Sequence, residues 1–516
     1  MRIQAATNSS SVSPAGAKPR AWVHRITFLL LIGACIALRL VCLVSKPFWF
    51  DEAFSVEVAR LDWPNFLHLL WWREANMSLY YLLLRVWLEM GHSPYFIRSL
   101  SVIITAATLP AVYWLARLLF GQRVALISVA LFAFNAYDVR YSQEARSYSL
   151  FLLLATLSSG LLVWWLGEPL RRNLRGYIAA SVLAVYAHLY ALLLTAVHWL
   201  VLRLTCPPQV ATGTPVVRMR RAWWTISILV FPLLLFVAKT GAGPIRWITR
   251  PTLRSLAEFF QHLCGSNEWP LAALYAVACT IAVSPAGKRL WRQDRDAWRL
   301  QFLLTWLLFP VAFTVLLSFA RPVFLARYMI FCLPPLVILA AVGLARLQSA
   351  WMFGVTLAVM LFLSLQGVLF VYAHDFDQER DASIPASTFV LDHSRPDDAI
   401  VFHIAETRIP YEFARSQRAG EDTASANFTA QLGPVILFPR HGAGLDYRDF
   451  TGKPTSEFLR QAGVTYPRLW VMLMNNGPAE KPDATTVMLG QVLAESFPSL
   501  QRWQFAKVEV RLYSRP

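Results

Sequence analysis

Charge is what this chain has least of. Of its 516 residues only 15% are Asp, Glu, Lys or Arg, while 56% are hydrophobic. Soluble domains carry roughly a quarter charged residues, so this shortage, with a mean hydropathy of +0.44, excludes a soluble enzyme and marks a polytopic membrane protein. Paired cysteines are also missing. Cys35, Cys42, Cys206, Cys264, Cys279 and Cys332 lie in or near apolar runs, with no C-x-x-C pair, which argues against a disulfide framework and a zinc site. No G-x-x-x-x-G-K-[ST] stretch occurs, so nothing supports ATP-driven transport by this chain alone. The first apolar run is not followed by a small-residue cleavage site, and reads as a retained signal anchor.

What is present is a series of apolar runs. Stretches 27–45, 96–119, 123–138, 146–166, 176–188, 190–204, 222–239, 269–285, 299–319, 329–346 and 351–372 predict about eleven transmembrane helices, on a spanning length of about 20 residues. The net charge of +17 is gathered in short segments between them, "RRNLR", "RMRRAWW" and "KRLWRQDRDAWR". This is the distribution of the positive-inside rule, so the charge sets topology and implies no nucleic-acid partner. Residues 1–26 form a cytoplasmic tail in this reading. "MSLYYLLLRVWLEMG" would invert everything after it if it crossed, and its Arg85 and Glu89 suit a helix lying in the interface. It belongs to an external loop, 46–95, that carries interfacial helices.

After Ala373 the composition turns polar. The runs "AIVFHIA", "PVILFPR" and "RLWVMLMN", the alternation of Val508, Val510 and Leu512, and the helical "VMLGQVLAESF" predict a small extracytoplasmic α/β domain over 374–516.

This topology gathers the polar groups at the external boundary. Asp51 and Glu52 follow the first span, Arg140, Gln143, Glu144 and Arg146 lie between the third and fourth, and His188 and Tyr190 sit at a bend. Arg246, Arg250, Arg254, Arg321, Arg327 and Tyr328 lie on later external segments. A secondary transporter carries ionisable groups near the midplane. Groups at the boundary suit an enzyme that handles a lipid-borne headgroup, with a transporter or flippase of lipid-linked saccharides as the alternative. A carboxylate there deprotonates an acceptor hydroxyl, and arginines hold a departing phosphate. Nucleotide-sugars are confined to the cytoplasm, so an external site needs a donor carried on a membrane lipid.

"PFWFDEAFS" straight after the first span, then "MSLYYLLLRVWLEMG", "VRYSQEARSYSLFLLL", "YAHLYALLL" and "PVFLARYMIFCLPPL" in that order, closely resembles bacterial glycosyltransferases of family 39 type. These belong to the GT-C superfamily, with protein O-mannosyltransferases and the lipid A aminoarabinose transferase. The resemblance covers about Phe28 to Ala373. It implies a transferase of the inner membrane that moves a hexose or pentose from a polyprenyl-phosphate donor to an envelope glycolipid, glycan or protein hydroxyl. It implies Asp51 as catalytic carboxylate with Glu52 beside it, and Glu144 in a second acidic position where it binds donor phosphate through a divalent metal or orients the acceptor. Arg327 and Tyr328 match the Arg-Tyr that approaches the lipid phosphate, with Arg146 and Arg246 as further phosphate contacts and His188 and Tyr190 as substrate contacts. A divalent cation, if used, would fall to Asp51, Glu52 and Glu144. Plainer readings stand beside these: a Glu144–Arg146 ion pair, a packed His188, and arginines at 246, 250 and 254 that bind anionic lipid headgroups.

Overall fold

The computed structural model describes residues 18–72, 74–204, 214–241, 248–284, 294–374, 381–419, 433–439, 452–474 and 482–515. Its first part is a body of helices. They run α1 (Lys18–Leu40), α2 (Phe50–Arg60), α3 (Trp63–Trp72), α4 (Ser78–Leu88), α5 (Pro94–Phe120), α6 (Gln122–Ala133), α7 (Ala136–Ser142), α8 (Tyr148–Gly167), α9 (Arg171–Ala187) and α10 (Ala191–Leu204). There follow α11 (Thr214–Thr240), α12 (Leu253–Leu263), α13 (Trp269–Val283), α14 (Asp294–Ala320), a 3-10 segment (Ala326–Cys332), α15 (Leu333–Ala345) and α16 (Ala350–Ala373).

Among the described residues seven stretches are long and apolar enough to cross a membrane: Trp22–Leu40, Pro94–Phe120, Tyr148–Gly167, Val216–Thr240, Ala297–Ala320, Ala326–Ala345 and Ala350–Ala373. Counting α6 and α7 as one span bent by 61° makes eight. The bend has a local cause. Asn135 accepts a hydrogen bond from the Asp138 amide at 3.1 Å and so starts a new helix, while its Nδ2 donates to the Leu263 carbonyl at 3.0 Å. The other three expected crossings are α9, α10 and α13, of 17, 14 and 15 residues; each is shorter than the about 20 residues that a bilayer asks for. The 11 residues of α4 reach about 16 Å, half of a hydrocarbon core of about 30 Å. Helix α1 ends at Leu40, five residues before the end of the first apolar run, 27–45.

Burial on several sides explains the evenly apolar sequences. In α15 every residue from Leu333 to Leu344 is buried. A Cβ on Gly343 would strike the Ala278 carbonyl, so a glycine is what lets α15 and α13 approach. One buried ion pair ties α1 to α7: Arg39 meets Asp138 at 2.6 Å with both side chains at most 1% exposed. Arg39 also donates to the Cys35 and Ala133 carbonyls, each at 3.0 Å, which satisfies a charge that would otherwise be costly in hydrocarbon.

The last part of the chain is a five-stranded sheet of order β2-β1-β3-β5-β4, made of β1 (Ala399–Phe402), β2 (Val435–Phe438), β3 (Arg468–Met474), β4 (Ser499–Phe505) and β5 (Val508–Ser514). Strand β1 is parallel to β2 and β3, and β5 is antiparallel to β3 and β4. Alternation divides the faces. Ile400, Phe402, Trp470 and Met472 pack with α17 (Ser383–His393) and α18 (Arg408–Ala419). Ala399, Val401, Leu469 and Val471 pack with α19 (Ser456–Thr465) and α20 (Ala484–Ala494). Strand β4 is mostly exposed, with Trp503 and Phe505 packed on the face shared with α17 and α18, and it was not among the expected strands.

The sheet unit rests on α2. Phe48 stacks on Phe413 with centroids 4.8 Å apart, and Arg60 Nη1 donates to Ser416 Oγ at 2.7 Å. Consecutive buried residues from Glu52 to Val56 reflect this enclosure: α2 is packed between the helical body and the sheet unit.

Candidate functional site

The site is built on the first turn of α2. Its N-cap residue, Trp49, supplies no side-chain cap. The cap comes instead from after the last span: the Phe50 amide donates to Asp381 Oδ2 at 3.1 Å, and the Ser383 amide to Asp381 Oδ1 at 2.9 Å. A carboxylate at a helix N-terminus is favourable, and here it fixes the helix that presents Asp51.

Asp51 lies between two guanidinium groups. Its Oδ2 is 3.4 Å from Arg327 Nη2 and 3.6 Å from Arg146 Nη2, and its side chain keeps 23% exposure. Charge-assisted hydrogen bonds run to about 2.7–2.9 Å. These contacts are longer, so the cations neutralise the carboxylate without occupying its lone pairs. Arg146 is anchored by Ser55 Oγ at 3.0 Å and by the Asp51 carbonyl at 3.2 Å. Arg327 lies over the Trp49 ring, 5.2 Å from its centroid. The strap that carries it is pinned twice, by the Tyr137 hydroxyl to the Ala326 carbonyl at 2.6 Å and by the Tyr190 hydroxyl to the Val323 carbonyl.

Glu52 is arranged in the opposite way. It is fully buried, and Arg98 grips it through Nε to Oε1 at 2.8 Å and Nη2 to Oε2 at 2.6 Å, while the Ala145 amide donates to Oε1 at 2.8 Å. Arg98 then reaches the Leu43 and Lys46 carbonyls at 2.8 and 2.9 Å. Adjacent in sequence, the two carboxylates therefore face different surroundings.

His188, Tyr190 and Tyr328 join Asp51's surroundings. The His188 ring is 4.7 Å from Tyr328 and 5.4 Å from Tyr190, and stacks on Phe151 at 4.9 Å. Its Nδ1 accepts from the Tyr190 amide at 3.2 Å. Its Nε2 and the Tyr148 hydroxyl are buried with no hydrogen-bond partner among the described residues. Glu144 is placed apart, 3.9 Å from Arg140 Nε, in a cavity of about 20 Å³ shared with Lys46, Arg98 and Gln143. Arg246 lies outside the described residues.

No family model matches the chain, and no curated protein sequence matches it. Solved structures do. The apo structure of ArnT from Cupriavidus metallidurans is 12% identical, with a TM-score of 0.62 over 96% of this chain and 98% of that one. ArnT bound to undecaprenyl phosphate is also 12% identical and gives 0.60 over 95% and 98%. AglB, an archaeal oligosaccharyltransferase from Archaeoglobus fulgidus in complex with an inhibitory peptide and a dolichol-phosphate, is 10% identical and gives 0.52 over 88% and 70%. The chain shares its fold with these membrane proteins.

Within this fold, Asp51, Glu52 and Glu144 do not make a cation site. Glu52 is filled by Arg98 and Ala145, Asp51 faces two arginines, and no group of three metal-ligating side chains occurs among the described residues.

Sequence reasoning passed over Glu74, in the loop between α3 and α4. Burial pushes its carboxyl up to about 7, with Arg146 opposing the rise and Asp51 adding to it. The neighbouring Asn76 accepts from the Leu189 amide at 3.0 Å, which ties this loop to the turn that bears His188. A group raised from an ordinary value of 4.5 stabilises the fold fully below that pH, and the contribution is lost as pH rises through about 7. The melting temperature of the wild type relative to Glu74→Gln is therefore expected to fall between about pH 5 and about pH 8. A pH-independent difference would mean that Glu74 titrates normally.

Proposed function

We propose that this protein is a membrane glycosyltransferase that moves a sugar from a polyprenyl-phosphate donor to a hydroxyl of an envelope glycolipid, glycan or protein. In this reading the eleven-crossing topology holds, and the site and the sheet domain over 374–516 face the outside of the inner membrane. The observation that carries it is Asp51 held between Arg146 and Arg327 at contacts longer than a charge-assisted hydrogen bond. The fold shared with ArnT, which has been solved with undecaprenyl phosphate bound, supports the lipid-borne donor.

Asp51 takes the proton of the acceptor hydroxyl as its oxygen bonds to the anomeric carbon. The bond from that carbon to the phosphate oxygen breaks through an oxocarbenium-like state, and the phosphate leaves with the electron pair. Arg327 and Arg146 stabilise the charge that develops on it, and Tyr328 donates from the aromatic wall. His188 Nε2 and the Tyr148 hydroxyl, both buried and without partners among the described residues, bind sugar hydroxyls. Glu52 positions α2 and touches no substrate. Glu144 orients the segment that carries Arg146.

The test is transfer in vesicles that hold the purified full chain. A labelled sugar is expected to move from polyprenyl phosphate to envelope glycolipid, and not from a nucleotide-sugar. Transfer from the nucleotide donor alone would overturn the proposal. Arg327→Ala is expected to lower catalytic efficiency about 10- to 150-fold, the loss of one charge-assisted contact of about 1.5–3 kcal/mol. Arg327→Lys should recover part of it, because a point charge replaces a planar fork. Wild-type kinetics in the alanine variant would assign the phosphate to another cation.

A further inference from the structure

Asp51 stands at a seam between two cores. Phe50, the residue before it, packs both with the helical body and with the face of the sheet unit that α17 and α18 cover. Ala53 and Phe54 are buried in the core of the helical body. One ring thus ties the peptide that carries Asp51 to both parts of the chain.

Hydrogen bonds make the same connection. The Phe50 amide belongs to the first turn of α2, whose N–H groups have no acceptor inside the helix. It donates to Asp381 Oδ2 at 3.1 Å, and the Ser383 amide donates to Oδ1 at 2.9 Å, so one carboxylate holds the starts of α2 and α17 together. The Ala382 amide in turn donates to the Ala506 carbonyl at 3.1 Å, in the turn between β4 and β5 where Lys507 has a φ of +59°. A path of peptide units and hydrogen bonds therefore runs from that turn to Asp51. Burial raises the Asp381 carboxyl above its ordinary value, the Ser383 and Phe50 hydrogen bonds oppose the rise, and the Asp51 charge adds to it. The arginines do less to fix Asp51 in place. Their contacts with its carboxylate, 3.4 and 3.6 Å, are longer than charge-assisted hydrogen bonds, which leaves much of the placement to the backbone of the first turn.

We infer that the sheet unit takes part in catalysis, with Asp381 as the positioning residue that sets where Asp51 meets the acceptor hydroxyl. The inference rests on the transferase reading for the role of Asp51, but the tether is measured without turnover, so the two can fail separately. The full chain in vesicles is followed by hydrogen exchange and by transfer from polyprenyl phosphate. Asp381→Ala is expected to speed exchange of the Phe50 amide about tenfold or more, with the amides of α15 as protected as in the wild type. It should lower kcat about 10- to 100-fold at an unchanged donor KM, since a misplacement of about 1 Å can cost about 100-fold. Asp381→Asn keeps one carbonyl oxygen for two amides and should fall between. Added to Asp51→Asn, Asp381→Ala should lower the residual rate little further, because it acts through Asp51. Unchanged exchange at Phe50, or faster exchange with a wild-type kcat, would overturn the inference. Equal loss of protection in α15, or a full further loss of rate in the Asp51→Asn background, would overturn it too, by making Asp381 a residue of overall stability.

Discussion

Asp51→Asn is expected to lower sugar transfer by about 100-fold or more while the protein stays folded and still binds its lipid donor. General-base catalysis is worth about 10²–10⁴-fold, and the amide keeps the shape of the carboxylate while removing its basicity. The geometry makes the effect separable from stability. The Asp51 side chain is 23% exposed, and its charge contacts with Arg327 and Arg146 are 3.4 and 3.6 Å long. Its own carbonyl, which the substitution leaves alone, is what Arg146 Nη1 and Ser55 Oγ bind, at 3.2 and 2.8 Å. A fall in kcat with an unchanged donor KM is the expected split, the signature of an interaction made in the transition state. Full turnover by a folded Asp51→Asn would remove Asp51 from the role of base.

Arg98→Ala is expected to act on the fold instead. It leaves Glu52 as a buried carboxylate with its guanidinium partner gone, and breaking such a pair from one side costs about 3–5 kcal/mol. The damage should spread, because Arg98 also holds the carbonyls of Leu43, Lys46 and Pro47, the segment that leads into α2. Loss of the folded, extractable protein is the readout. Glu52→Leu with Arg98→Met removes both charges together and should recover much of the folded yield. Wild-type yield of Arg98→Ala would show that Glu52 is neutral or otherwise paired. The contrast between the two variants separates chemistry at position 51 from architecture at position 52.

Much of this was legible in the sequence. The segment "PFWFDEAFS" placed an acidic pair at the end of the first span, and three short apolar runs and the alternation of Val508, Val510 and Leu512 located β1, β2, β3 and β5. The partners that hold Glu52 were not legible. Adjacent residues on a helix point about 100° apart, and which of them meets an arginine depends on α5. That helix is capped by Ser93, whose side chain accepts from the Phe96 amide at 3.2 Å, and so brings Arg98 to Glu52 from 46 positions away. Glu74 was hidden for a similar reason: only the loop fold, through Asn76 and Leu189, carries it near Asp51. The resemblance put Glu144 in a second acidic position, and its carboxylate lies 3.9 Å from Arg140 Nε, a neighbour that the sequence order did not single out. The cap that Asp381 gives to α2 joins residues 331 positions apart, beyond any local pattern.

The most direct measurement compares envelope glycolipids and glycoproteins by mass spectrometry in cells that lack the gene. The cells are complemented with wild type, with Asp51→Asn, or with nothing. Loss of one hexose, pentose or amino-sugar mass, restored by the wild type and not by Asp51→Asn at equal membrane levels, is the expected result. Identical spectra in all three, or restoration by Asp51→Asn, would contradict a transferase centred on Asp51.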